Sequence, residues 1–427
     1  MIRSLRLLPA LATAAALATL LGACGTDPNN PTQSAPTPLP PTASAGAGTK
    51  TNGAATEAAR FRAELTALFR EEASLTAYVA QTAAASGFQS PQTEAAIETL
   101  HHSGAKLTDK IAAVAGDEDS KLGKSEGARL RSAWEEYVGH LVHYVKAAVT
   151  EEATLKGEIR TSIYAVEEDL SVIIADITDH TVSEQEAHGL VSGHTGLTTS
   201  MIDAIAKAEP SAPTNIVQTG RGGDEIAKSL SRALAIKFPE HLPGDATSEG
   251  AALRAHLTGL LAQHVAQTVA VAHLMDAAGS GSERTNAAIR SLHTNMDELA
   301  GEIETIYGKK MAEEFTKLYE RHIKSLVSFA KRGAQQGPAP LSPTGSSQFA
   351  KKFTEFASRL TDGNLEKKSF ERAVTEQVEA VKTAIESVAK DDTAAAEEVE
   401  KAEAEVIEPA ELLSVAIVEQ FPDRFAA

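Results

Sequence analysis

The sequence has few of the residues that usually identify a catalytic or cross-linked protein. It holds one cysteine in 427 residues, so no disulfide can form within a single chain. Aromatic residues make up only 4% of the chain, and Trp occurs once. HExxH, P-loop, GxGxxG, GxSxG and CxxC motifs are all missing from the sequence. We therefore expect a protein that is not an enzyme.

The chain also lacks an excess of basic residues. It has 40 Lys and Arg against 58 Asp and Glu, which gives a formal net charge of −18 at pH 7. Such a surface repels polyanions, so no nucleic-acid partner is expected. Ala is abundant and runs of β-branched residues are rare, which favours helices packed closely through small side chains. The composition predicts an all-α fold.

A long apolar run is found only at the N-terminus. Arg3 and Arg6 precede an apolar stretch at 7–21, which is too short for a permanent membrane-spanning helix. The stretch ends in LLGAC, where Cys24 is the only cysteine. This resembles a bacterial lipobox, in which the cysteine is diacylated and becomes the mature N-terminus; the alternative is a chance cysteine in an ordinary signal peptide. The resemblance implies a signal peptide over 1–23 and a lipid anchor that holds the protein on the extracytoplasmic side of the cell membrane.

The segment after this cysteine is poor in bulky apolar residues. Residues 25–56 are mostly Pro, Ser, Thr, Gly and Ala, which is typical of a disordered and partly extended chain. We therefore predict that 24–56 comprises the lipidated Cys24 and a tether, which holds the globular part clear of the membrane.

The rest of the chain repeats itself once. FRAELTAL from Phe61 matches LRAHLTGL from Leu253 at an offset of 192, which falls to 185 and then to 183. The last offset also relates the FPE phrase at Phe238 to the FPD phrase at Phe421. Proline cannot continue a helix, so both phrases predict a helix end. A unit of roughly 180 residues is a domain rather than a solenoid repeat. We predict two tandem homologous helical-bundle domains, 57–245 and 246–427.

Three polar residues in each unit fall on an apolar helical stripe, where a hydrophobic residue is expected. Burying such groups is costly unless they have partners, so the three residues should meet one another or bound water. Two interpretations stay open, a buried hydrogen-bond network and a copper or zinc site, because neutral imidazole binds both metals. The six residues are Glu72, Tyr137 and His194 in the first unit, and His264, His322 and Gln377 in the second.

The order of motifs over 57–427 resembles a largely uncharacterised family of bacterial extracytoplasmic proteins built from duplicated helical units. The resemblance is carried mainly by YG, RHI and QFPDRF. It implies ligand-like histidines at His264, His322 and His194, and a His-Met pair before the last helix. The corresponding stretches here, VEKAEAEVIEP and IVQTGRGG, contain neither residue. The family implies no activity.

Taken together, these features predict a membrane-anchored extracytoplasmic lipoprotein that serves as a non-enzymatic helical binding or structural module. Its expected partner is the membrane, reached through the lipid on Cys24, and no cofactor is required. The alternative is a lipoprotein that binds copper or zinc through its buried histidines.

Overall fold

Long helices dominate the chain, as its Ala-rich composition predicts. The computed structural model describes residues 52–115, 121–336 and 344–425. These ranges contain a 3-10 helix at Gly53–Ala55, thirteen α-helices and no strand. The all-α prediction is confirmed for the part of the chain that the structure describes.

The helices follow one another in two series, and several of them match in length. The first series, α1 to α6, consists of Glu57–Ser86, Pro91–Ala115, Lys121–Val149, Ala153–Ile177, Glu184–Ala206 and Ala212–Lys237. The second, α7 to α13, consists of Glu249–Ala278, Glu283–Tyr307, Lys309–Gln336, Thr344–Leu360, Lys367–Ala389, Ala395–Ala404 and Ile407–Gln420. Helix α7 begins and ends 192 residues after α1, and α11 begins and ends 183 residues after α5. Helix bounds thus follow the sequence repeat.

Matching residues also start and stop the helices. Thr56 and Ser248 cap α1 and α7, each accepting a hydrogen bond from a backbone N–H three residues later. Both helices end at a glycine with a left-handed backbone, Gly87 at φ 95° and Gly279 at φ 83°, a conformation that glycine adopts without a steric penalty.

The two FP phrases end the last helix of each series, as predicted. Phe238 and Phe421 are the C-caps of α6 and α13, with φ of −126° and −125°. Each donates its backbone N–H to the carbonyl four residues earlier, at 2.8 Å and 3.1 Å respectively. The following proline has no N–H with which to continue the ladder.

The two series differ at their last helix. Helix α6 is continuous over 26 residues, whereas the matching stretch of the second series is split into α12 and α13. Pro409 stands where α6 has Ile226, and its ring is incompatible with the carbonyl of Glu405 in a continuous helix. The break lies at Glu405 and Val406, and Pro409 is the third residue of α13 that follows it.

The core crosses the predicted domain boundary at 245/246. Helix α1 packs on α7 as well as on α2, α5 and α6. One hydrophobic cluster joins residues of both halves, for example Phe69 with Val265 and Val399. Arg70 of α1 binds Asp224 of α6 through two hydrogen bonds of 2.9 Å and 2.5 Å, and also donates to Gln263 of α7 at 3.1 Å. The described residues of both halves fall in one compact unit.

The described residues begin slightly before the predicted end of the tether at residue 56. Asn52 donates its side-chain amide to the carbonyl of Val415 at 3.0 Å, and Ala54 is fully buried. The carbonyl of Ala54 accepts a 3.0 Å hydrogen bond from the buried Arg254. The predicted signal peptide and the earlier part of the tether lie outside the described residues.

Candidate functional site

The polar residues expected on the core stripes of the first half lie in one buried cluster. Glu72 on α1 and His194 on α5 are 1% and 2% exposed. His194 Nε2 lies 3.1 Å from a carboxylate oxygen of Glu72. Thr195 donates its hydroxyl to Tyr137 Oη at 3.3 Å, and burial and the charge of Glu72 together raise the pKa of Tyr137. The structure therefore brings Glu72, Tyr137 and His194 together.

The cluster contains a second carboxylate that the stripe analysis missed. Glu167 on α4 is 1% exposed, and its Oε2 has no hydrogen-bond partner among the described residues. Burial raises its pKa, and the nearby Thr195 side chain opposes that shift. Glu167 lies one turn after Ile163, on the same apolar stripe, so the rule that identified Glu72 could have found it.

In the second half, the two predicted histidines lie side by side. The rings of His264 on α7 and His322 on α9 have centres 5.4 Å apart and planes at 29°. His322 also stacks on Phe349 at 3.8 Å. Burial lowers the pKa of His264 to about 4, with the amide of Asn295 opposing, and lowers the pKa of His322 well below its usual value. Both imidazoles are therefore neutral at pH 7.

The imidazole of His264 is unusual for a fully buried polar group. Neither of its ring nitrogens meets the geometry of a hydrogen bond with a described residue, although the Asn295 side chain lies near enough to act on its pKa. The buried Asn295 is in a similar state, since its side-chain oxygen has no such partner while its amide donates to the Leu260 carbonyl at 2.9 Å. Buried polar groups without partners are rare in native proteins.

Gln377, the third predicted residue of this half, is buried on α11 at the position that matches His194. Among the described residues, no hydrogen bond joins Gln377 to His264 or His322, whose ring contacts are with each other and with neighbouring aromatic rings. In the described ranges, no group of three or more His, Cys, Asp and Glu side chains is arranged to hold a metal ion. A copper or zinc site in either half stays a prediction.

A cleft lies where the two halves meet, and the sequence analysis did not predict it. Its volume is about 530 Å³, and small-molecule sites typically enclose roughly 300–1,000 Å³. The last turns of α1, α5, α7 and α11 line it, together with the first turns of α6 and α8. Matching positions of the repeat face the same space: Gln81 with His273, and Ala208 with Asp391. Both halves therefore build this cleft.

Charged groups of both signs line the cleft. Glu209, Asp276 and Asp391 supply carboxylates, and Arg284 supplies the one guanidinium among its lining residues. Burial, and then the charge of Arg284, lower the pKa of His273 to about 4, so this imidazole is neutral at pH 7. Burial, and then the charge of Asp391, raise the pKa of Asp276.

Aromatic and amide groups complete the walls of the cleft. The Tyr78 ring meets the His273 ring edge to face, with centres 6.3 Å apart. Burial and the charges of Asp391 and Asp392 raise the pKa of Tyr78, so its phenol stays protonated at pH 7. A phenol, a neutral imidazole, the Gln81 amide and ions of both signs can together bind and orient a polar ligand.

The sequence feature that comes nearest to indicating this cleft is the pair of matched phrases AKAE and AKDD, at 206–209 and 389–392. Ala208 and Asp391, in the middle of these phrases, have left-handed backbones with φ of 55° and 52°. Non-glycine residues adopt this conformation only uncommonly. Nothing in the sequence, however, indicates that the two phrases end up facing one space.

Comparisons of the chain with protein-family models, with curated proteins and with solved structures found no match. Among the described residues, none of the helices combines the length and the apolar character needed to cross a membrane. Cys24, the predicted lipidation site, lies outside those residues.

Proposed function

We propose that this chain is a lipid-anchored, extracytoplasmic binding protein without enzymatic activity. The lipobox-like LLGAC at 20–24 supports the anchor, because a diacylated Cys24 would hold the chain at the membrane surface. The Pro-rich segment that follows is a tether of the length and composition needed to hold the folded part away from the lipid.

The folded part is proposed to consist of two homologous helical-bundle domains, 57–245 and 246–427, that arose by tandem duplication. The equal lengths of α1 and α7 and the matching caps support this relationship. The two domains pack through a shared core, so the duplication creates a junction that neither copy has alone.

The cleft at that junction carries the proposed binding function. It has the volume of a small-molecule site, and both copies contribute polar side chains to it. Most of its polar lining residues lie in the end turns of helices or directly after them. The hydrophobic cluster that the halves share shows how apolar side chains fill the junction elsewhere, and polar groups there form pairs, such as Arg70 with Gln263.

The binding function can be tested by filling the cleft. Ala85 and Ala277 are exposed residues at matching positions on its walls, so a Trp at either fits without disturbing the core. Ala153, an exposed alanine at the start of α4, supplies the control variant Ala153→Trp. The probe is a fragment set of cations, zwitterions, anions and neutral molecules, followed by ligand-detected NMR.

We expect fragments that bind the unmodified chain and Ala153→Trp and are lost in both Ala85→Trp and Ala277→Trp. The same fragments bound by all four proteins, or none by any, would refute a ligand site in the cleft. Circular dichroism on each variant confirms that the helices are intact.

The anchor has its own test. Cys24→Ser removes the sulfur that would carry the lipid, so the protein should leave the membrane fraction or remain unprocessed. A processed protein that stays in the membrane fraction would refute the lipid anchor and leave the cleft proposal untouched.

A second candidate function is copper or zinc binding in the second half. The observation that favours it is His264, whose two ring nitrogens are buried without a partner beside His322. Zn²⁺ should then raise the melting temperature of the chain, and a chelator should reverse the rise. His264→Phe should abolish the rise, and His143→Gln, at an exposed position on α3, should preserve it. No response to Zn²⁺ or to Cu⁺ would remove this candidate.

A further inference from the structure

The charged side chains that line the junction cleft indicate which charge its ligand carries. Three carboxylates face one guanidinium among the lining residues, and the one lining imidazole is neutral at pH 7. The cleft therefore carries two negative charges in excess. Asp276 and Asp391 form no ion pair with any described residue, although an Arg lines the same space.

Helix ends add to this negative potential. Four helices end at the cleft, α1, α5, α7 and α11, and the C-terminal end of a helix carries about half a negative charge. Lys207 and Lys390 are the C-caps of α5 and α11 and offset those two dipoles, whereas α1 and α7 have no basic residue in the last turn and end at glycines. Only α6 and α8 present their positive N-terminal ends to the same space.

Two of the three carboxylates, Asp276 and Asp391, come from different helices of the second half. Asp276 lies near the end of α7, and Asp391 follows the end of α11 in a left-handed conformation. The charge of Asp391 raises the pKa of Asp276, so the two carboxylates repel each other. A bound cation would relieve this repulsion. Glu209 from the first half lies on the same walls, and the Tyr78 ring offers an aromatic face to a cation.

We propose that the cleft binds an organic cation with two or more amino groups, held between the Asp276 and Asp391 carboxylates and the Glu209 carboxylate. This inference rests on the proposed binding function of the cleft and adds the chemical class of the ligand. A volume of about 530 Å³ exceeds that of a hydrated inorganic ion and accommodates a flexible amine chain.

The test uses four probes of equal length and different charge on the full chain. They are 1,4-diaminobutane, 4-aminobutanoate, 1,4-butanediol and succinate, measured by isothermal titration calorimetry at low and at high salt. We expect the diamine to bind most tightly and the succinate dianion least. Added salt should weaken diamine binding because it screens the carboxylates.

A matched pair of variants separates the cleft from the acidic surface of the protein. Asp391→Asn removes a cleft charge and keeps a residue that tolerates a left-handed backbone. Asp362→Asn does the same at an exposed position, with φ of 52°, outside the cleft. The first should weaken diamine binding about tenfold, the loss expected for one charged hydrogen bond, and the second should leave it unchanged.

Three results would overturn the proposed ligand class. The first is that 4-aminobutanoate or succinate binds as tightly as the diamine, or more tightly. The second is that Asp391→Asn and Ala85→Trp both leave diamine binding intact. The third is that the diamine does not bind at all. If one of the other probes binds and Ala85→Trp abolishes that binding, the cleft remains a ligand site and only the cationic class fails. If the fragment set also fails to find a cleft ligand, the proposed binding function fails with it.

Discussion

Glu72 and His194 show how a buried polar residue depends on its partner. Each is almost completely buried, and their side chains are 3.1 Å apart. In the second half the matching positions are His264 and Gln377, and the contacts described do not include such a pair. The same backbone site therefore holds a partnered residue in one copy and an unpartnered imidazole in the other.

The Glu72–His194 pair should be a major source of stability for the first half. Glu72→Ala leaves the buried His194 without its partner and should lower the free energy of unfolding by about 3 kcal/mol. Glu136→Ala, at a position 62% exposed on α3, should change it by less than about 0.5 kcal/mol. Urea denaturation followed by circular dichroism measures both, and similar effects for the two variants would show that the pair is not important.

The buried imidazole of His264 should make the protein sensitive to acid. Its pKa of about 4 in the folded state lies below the usual 6.5, so between these values protons bind preferentially to the unfolded chain. Above pH 6.5 the imidazole is neutral in both states and costs no stability. As the pH falls to 4, the free energy of unfolding decreases by about 3 kcal/mol. His322, whose pKa is also lowered, adds to the same loss.

Substitution separates this contribution from general acid unfolding. His264→Phe should reduce the loss of free energy of unfolding between pH 6.5 and 4, because a phenyl ring takes up no proton. His143→Gln, an exposed histidine, should leave the loss unchanged. Free energies from urea denaturation at several pH values provide the comparison, and equal acid sensitivity in both variants would contradict a buried neutral His264.

At the scale of the helices, close packing through small residues holds α6 against α1. A Cβ atom on Gly223 of α6 would lie 2.6 Å from the Phe69 Cβ atom, well inside contact distance. A Cβ on Gly157 of α4 would meet nothing within 4 Å. Substituting the two glycines therefore compares the effect of close packing, at Gly223, with the effect of helix propensity, at Gly157.

Gly223→Ala should destabilise the protein by about 1–3 kcal/mol, because the helices must move apart to admit the methyl group. Gly157→Ala should stabilise it by up to about 1 kcal/mol, since alanine is the better helix former at an exposed site. Thermal or urea unfolding gives the signs directly. Two changes of the same sign would contradict the close approach of α6 and α1.

Helix ends were the features most readily predicted from sequence. The FP phrases at 238 and 421 end α6 and α13 because proline lacks an N–H, a property of one residue and not of its surroundings. The sequence analysis did not predict α12, because AAEEVEKAEA is short and half of its residues are charged. Its apolar side packs against α1, α2 and α7, which come from distant parts of the sequence.

The candidate site, too, was predictable from the sequence only in part. Periodicity identified Glu72, His194, His264 and His322 as residues on core-facing stripes, and all four are buried. Periodicity does not report which stripes face each other, and so it did not identify the partner of Gln377. The cleft lay beyond prediction because its residues come from helix ends far apart in the sequence.

At the scale of the whole molecule, the repeat has produced one folded unit. The halves share a hydrophobic core, a buried hydrogen bond from Arg70 to Gln263 and the cleft. The cleft walls stay in place only as long as both halves are folded. A binding site formed by two copies therefore requires that the copies fold together.

The most direct test of this joint unit is differential scanning calorimetry of the Cys24→Ser chain, with and without Glu72→Ala. We expect one unfolding transition, whose calorimetric and van't Hoff enthalpies agree. Glu72→Ala lies in the first half, yet it should lower the temperature of that whole transition. Two separate transitions, of which Glu72→Ala moves only one, would show that the halves fold independently and would contradict a binding cleft built jointly by both.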